Sequence, residues 1–207
     1  MVKYAANVIT GNEERMIDQV ELSDILEQHR LWLSCSNLGK KADLSEMDLG
    51  LVNLHAAILY RAKLCKTNLS GAYLYGVNFN QANLREVNLD RADCDRAKFR
   101  SANLRGARLR GAKLRNVNLS FADLCGADLR GADLCGADLH DADLRGANLE
   151  GCDLRGTNLT DANLCCAKGV ESIAGYLNGT DDGKVCGRCH SFIRCYTRRG
   201  GNRTVAV

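Results

Sequence analysis

From residue 42 onward an apolar side chain returns at every fifth position, set in a fixed polar frame. Between Ala42 and Cys166 the order is small residue, Asp or Asn, Leu, then two mostly polar positions, repeated twenty-five times in one register. Ala127-Asp128-Leu129-Arg130-Gly131 shows it in pure form. A period of five suits no α-helix. At about 100° per residue each step nets about 140°, so the leucines would wind round every side. A flat strand fails too, because an odd step places alternate leucines on opposite faces. A chain that turns by a constant amount at each repeat keeps them all inside, and such repetition predicts a stacked, elongated unit.

Ahead of the repeat, Asp18 to Leu33 follows a different period. Leu22, Ile25, Leu26, His29 and Leu33 mark one helical face, with Trp32 beside it. Asp18 with Glu21 forms a capping box, and Ile17 with Leu22 a hydrophobic staple. Stacked repeats expose apolar interior at their ends, so a capping helix is expected here. The organisation read from the chain is a flexible segment at 1–17, a capping helix at 18–34, a linker at 35–41, the repeat at 42–166 and a partly disordered tail at 167–207.

The repeat resembles the pentapeptide repeat family, whose consensus is A-(D/N)-L-x-x. The resemblance implies an all-β solenoid, a right-handed quadrilateral β-helix with four repeats per coil. It implies about six coils, a rod about 30 Å long at the spacing of hydrogen-bonded strands. In that fold the Leu position and the small residue two before it point inward. Phe79, Cys94 and Phe99 replace the central Leu, and Phe79 and Phe99, twenty residues apart, are expected to stack. Cys94 and Cys152 are expected to be buried and inert. The Asp and Asn at the second position are expected to be solvated.

Composition narrows the function. Pro is absent, which suits an unbroken backbone ladder, and aromatics are only 5%. The net charge of +3 argues for neither nucleic acid nor membrane, and no run approaches the roughly 18 apolar residues of a membrane helix. Eleven cysteines, an odd and scattered set without an export signal, point to a reducing cytoplasmic setting. Four histidines (His29, His55, His140 and His190) are scattered along the chain, and no catalytic constellation or cofactor motif is evident, so a non-enzyme is expected. In the tail, Cys186-Gly187-Arg188-Cys189-His190 matches the haem-attachment pattern, and Cys186, Cys189, His190 and Cys195 make a weak zinc set. Free thiols in a weakly ordered tail are preferred to either.

Coils of four repeats would align residues twenty apart. Asp90 would stack on Arg110 and Arg130 on Glu150, while Arg110 and Arg130 repel. His55, Tyr73 and Tyr75 would share one side, with Tyr60 round the adjacent corner, in a rod otherwise poor in aromatics. Residues 85–115 carry a net +6 and include Arg105, Arg108, Arg110 and Arg115, while 122–161 carry −6. The expected function is a non-catalytic scaffold for a protein partner, through the tyrosines or the arginine-rich middle. An end-to-end homodimer is expected if the last coil is open. The alternative is a DNA-mimic modulator of a type II topoisomerase, which the basic middle opposes. DNA binding by that band lacks a recognition helix or interleaved aromatics.

Overall fold

The computed structural model describes residues 6–10, 13–17, 19–170, 183–185 and 194–196, with side chains over 19–170. From Asp43 to Lys168 the chain is a β-helix with a fixed offset. Parallel bridges join residues twenty apart, from Asp43 to Lys63 through to Asn148 with Lys168. Four columns of bridges define four faces, beginning at Asp43, Asp48, Asn53 and Ile58, here called first to fourth.

Most repeats place their five backbone N–H groups in the same way. In the first, Leu44 and Glu46 donate to the carbonyls of Lys63 and Cys65 on the next coil, at 2.8 and 2.9 Å. Lys63 donates back to Ala42 at 3.0 Å, and Met47 closes the corner onto Leu44 at 3.3 Å. The last N–H, of Ser45, donates to Asp43 Oδ1 at 3.2 Å. The Asp or Asn at the second position is therefore a structural acceptor as well as a solvated side chain, which corrects the expectation. Glu46 has φ +62°, so each corner is a type II turn with its third residue left-handed.

Where Lys98, Arg108 or Lys113 replaces that Asp or Asn, the acceptor comes from one coil below. Asn80, Asp90 and Asp95 take the N–H of Arg100, Arg110 and Arg115 at 2.8, 3.0 and 2.8 Å.

The interior is a column of central leucines, nearly all fully buried, wedged between alanines. Each buried Leu contributes roughly 1.5–3 kcal/mol relative to exposure. Phe79 and Phe99 stack with ring centroids 5.2 Å apart. Polar residues at the small inward position find a carbonyl: Thr67 Oγ1 donates to Leu44 O and Thr157 Oγ1 to Leu134 O, both at 2.8 Å. Cys94 is buried and its thiol is pushed up by desolvation. Cys152 is only partly buried, contrary to expectation. Its thiol donates to Leu129 O at 2.9 Å, and burial pushes it up to about 11.

Helix α1 spans Gln19–Ser34. Leu22 and His29 are buried, while Ile25 and Leu26 pack on the core. His29 Nδ1 accepts from the N–H of Ala42 at 3.0 Å and its ring stacks on Trp32. The linker runs back along the helix: Lys40 N–H donates to Gln28 O, and a Cβ on Gly39 would clash with that oxygen. Asp18 and the Ile17 side chain, needed for the expected capping box and staple, lie outside the described residues.

Strands β1 (Ala6–Thr10) and β2 (Glu13–Ile17) pair antiparallel where the sequence analysis places a flexible segment. β1 also pairs antiparallel with β3 (Met47–Asp48), so it extends an edge of the first coil. In the tail, β4 (Gly183–Val185) pairs antiparallel with β5 (Arg194–Tyr196). Among the described residues no helix is long and apolar enough to cross a membrane.

Candidate interaction surface

The offset of twenty puts Tyr73 above Asn53 and Tyr75 above His55, all on the third face. His55 and Tyr75 stack at 5.4 Å, and the Arg96 guanidinium lies 5.9 Å from the Tyr75 ring. Tyr60 sits on the fourth face, where its hydroxyl donates to Gln81 and Arg61 lies over its ring. His55, Tyr73 and Tyr75 thus share one face with Tyr60 round the adjacent corner, the placement the sequence analysis expects. Tyr60 is held by its own neighbours, while Tyr73 stands out from the rod.

Two residues extend the patch that sequence reasoning missed. Leu51 occupies the corner before the third face, and Ile58 follows the corner after it. Leu51, Ile58, Tyr73 and Tyr75 are 61%, 55%, 55% and 39% exposed, an apolar belt within the first coils. Elsewhere in the described repeat only Phe121, at 43%, is comparably exposed. The available signal was an apolar residue at a position the repeat reserves for polar ones.

The belt also breaks the backbone rule of the repeat. For the N–H of Tyr75, neither Tyr73 nor His55 can supply the usual Asp or Asn acceptor. The same holds for Tyr60, preceded by Ile58 and set above Lys40. Cys65, with Lys63 and Ser45, is a third such position, outside the belt.

Beside the belt, the second face carries a groove of about 810 Å³. Gly50, Ser70 and Gly71 leave it open, and Leu51 stands at its edge. Its wall is a polar ladder in which Asn68 Nδ2 donates to Asp48 and Asn88 Nδ2 to Asn68, at 2.7 and 3.1 Å. Arg108 and Arg110 line its far end.

The arginine candidates do not converge. Arg105 lies on the first face, Arg108 and Arg110 on the second and Arg115 on the third. Each is engaged by an aspartate: Arg105 with Asp123 at 3.4 Å, Arg110 with Asp128 at 2.7 Å, Arg115 with Asp133 at 2.5 Å, and Arg108 with Asp90. The expected vertical pairs are replaced by diagonal ones. The Arg110 side chain reaches forward to Asp128 because its own N–H already occupies Asp90 Oδ1. Arg130 folds onto Asp128 in its own turn rather than reaching Glu150. The two arginines expected to repel thus share one carboxylate. The bond from Arg130, reinforced by Arg110, holds Asp128 well below the usual carboxylate range. Of the weak metal set, Cys186, Cys189 and His190 lie outside the described residues, and Cys195 lies in β5 opposite Lys184.

The family model for pentapeptide repeats matches residues 40–71, 67–106, 102–141 and 137–168, together well over half of the chain. The chain belongs to the pentapeptide repeat family. Members fold as right-handed quadrilateral β-helices and are generally non-catalytic structural or interaction proteins. This pentapeptide repeat protein is similar to HetL, involved in heterocyst differentiation regulation in the cyanobacterium Nostoc sp. strain PCC 7120. Their identity is 36% over 63% of this chain and 74% of HetL, with a TM-score of 0.38. It is also similar to a thylakoid-lumen pentapeptide repeat protein of Arabidopsis thaliana, at 34% identity over 55% of this chain and 79% of that one, with a TM-score of 0.34. A trypsin-treated form of QnrB1, a plasmid-mediated fluoroquinolone resistance protein, matches at 20% identity over 57% of this chain and 67% of its own, with a TM-score of 0.39. No curated protein matches the chain at the same significance.

Proposed function

We propose that this pentapeptide repeat protein is a non-catalytic scaffold of about six coils, capped by α1, that binds a protein partner through its third face. The exposed belt of Leu51, Ile58, Tyr73 and Tyr75 carries this reading. Tyr anchors contribute heavily to interfaces, and backbone acceptors are given up where Tyr73 and Ile58 stand. The groove edged by Leu51 extends the same contact area onto the second face. The odd, scattered set of eleven cysteines is the basis on which we place this scaffold in a reducing, cytoplasmic setting.

The DNA-mimic alternative needs acids presented along the rod. Of the nine acids in residues 122–161, Asp123, Asp128, Asp133, Asp143 and Asp153 are engaged by arginines. The geometry favours the scaffold.

Affinity capture from the native cytoplasm tests it with wild type, Tyr73→Asn/Tyr75→Ala, and Arg145→Ala on the first face. A partner retained by wild type and Arg145→Ala but lost from the double variant supports the reading. Equal recovery from all three removes the third face from consideration. A gyrase supercoiling assay with inhibition or protection would restore the alternative.

A further inference from the structure

Far from the belt, the C-terminal coils bring an imidazole and two carboxylates to one corner. His140 lies on the fourth face, and Asp141 and Asp161 occupy the following corner one coil apart, at φ +54° and +57°. One ligand atom from each of the three falls within 4.8 Å of the others. We propose that His140, Asp141 and Asp161 form a solvent-facing site for a first-row divalent transition-metal ion.

The orientation of the imidazole carries the argument. His140 Nδ1 lies 3.1 Å from the carbonyl oxygen of Thr160. A carbonyl can only accept, so Nδ1 carries the hydrogen and the Nε2 lone pair points the other way. Nε2 then faces Asp141 Oδ2 at 3.1 Å, acceptor against acceptor. The Asp161 carboxylate brings a third ligand oxygen to the same cluster. A cation seated there converts the repulsion between Nε2 and the Asp141 carboxylate into coordination. A metal-bound histidine typically donates its other N–H to a carbonyl or carboxylate, as His140 does to Thr160.

The ring is also held from its side. Phe121 meets it edge-on at 5.6 Å, and the Arg100 guanidinium lies 4.7 Å from the Phe121 ring centre. Phe121 stands in the same corner column as Asp141 and Asp161, at φ +60°, a conformation costly for a bulky residue. One imidazole with two carboxylates suits first-row ions from the hard Mn²⁺ to the borderline Ni²⁺ and Zn²⁺, with remaining positions left to water or an incoming group. The rival occupant is a proton, which would leave a plain imidazolium–carboxylate pair.

Amide NMR of the full chain titrated with Mn²⁺ separates the two, since this hard ion avoids the thiols that would capture softer ones. The expected result is saturable broadening centred on Phe121, His140, Asp141 and Asp161, reversed by EDTA. His140→Gln and Asp161→Asn should each weaken the apparent affinity at least tenfold while keeping the spectral dispersion of wild type. Asp141→Asn replaces either variant that loses dispersion. Broadening spread over surface carboxylates at large, broadening unchanged in the variants, or no localised broadening overturns the proposal.

Discussion

Tyr73 stands where most repeats place an N–H acceptor, so replacing it with one should make the rod more stable. In Tyr73→Asn the new side chain can accept from Tyr75 N–H as Asp93 does from Asp95. A gain of about 0.5–1.5 kcal/mol is expected, read as a higher urea midpoint, together with loss of partner binding. A lower midpoint would show that the tyrosine supports the fold. The corners make a second residue-scale prediction. A Cβ at Gly76 meets nothing within 4 Å, yet φ there is +68°. Gly76→Ala should cost about 1–2 kcal/mol by equilibrium unfolding, from backbone conformation alone. The leucines and alanines were legible in the sequence because their period is local. The acceptor role of the second position was not, because it shows where Lys98, Arg108 and Lys113 forfeit it and Asn80, Asp90 and Asp95, at the fourth position one coil below, take the N–H instead.

At the scale of elements, α1 was legible from its apolar face, and its docking rests on a histidine the periodicity marks only as part of that face. His29 Nδ1 accepts from Ala42, and the buried ring has the Tyr60 backbone as its other polar contact. Desolvation by burial lowers its proton affinity below the ordinary value of 6.5. The folded state therefore favours the neutral ring. Its stabilisation is complete above the unfolded value and is lost as pH falls through the lowered folded one. Thermal melts between about pH 5 and 8 should show stability falling on the acid side. The His29→Gln variant should flatten that slope, and an unchanged slope would contradict the assignment. The β1–β2 hairpin carries a signal in the sequence: Gly11-Asn12 separates two short runs, a pairing typical of tight hairpins. Its pairing with β3 had none, because an edge becomes visible only once the coil exists.

For the whole molecule, the segregated charges act inward. Arginines of the basic middle reach Asp123, Asp128 and Asp133 in the acidic coils, clasping successive turns. Such exposed pairs are worth about 0–1 kcal/mol each, so Arg115→Ala should lower the urea midpoint only slightly. Acid should act more broadly. The bond from Arg155 lowers Asp153 to about 2, and Asp128 is lowered by Arg130 and Arg110. Their contribution is present above the ordinary value of 3.8 and is lost as pH falls through the lowered values. Charge counting alone made the middle look like a docking band, since composition records sign but not partner. What remains outward and apolar in the first coils is the belt on and around the third face, and site-specific photo-crosslinking tests its role most directly. A photoreactive residue at Tyr73 is compared with one at Asn83 on the opposite, first face, each in complex with the captured partner. Adducts at 73 and none at 83 are the predicted result. Equal adducts at both positions, or adducts at 83 alone, would contradict it.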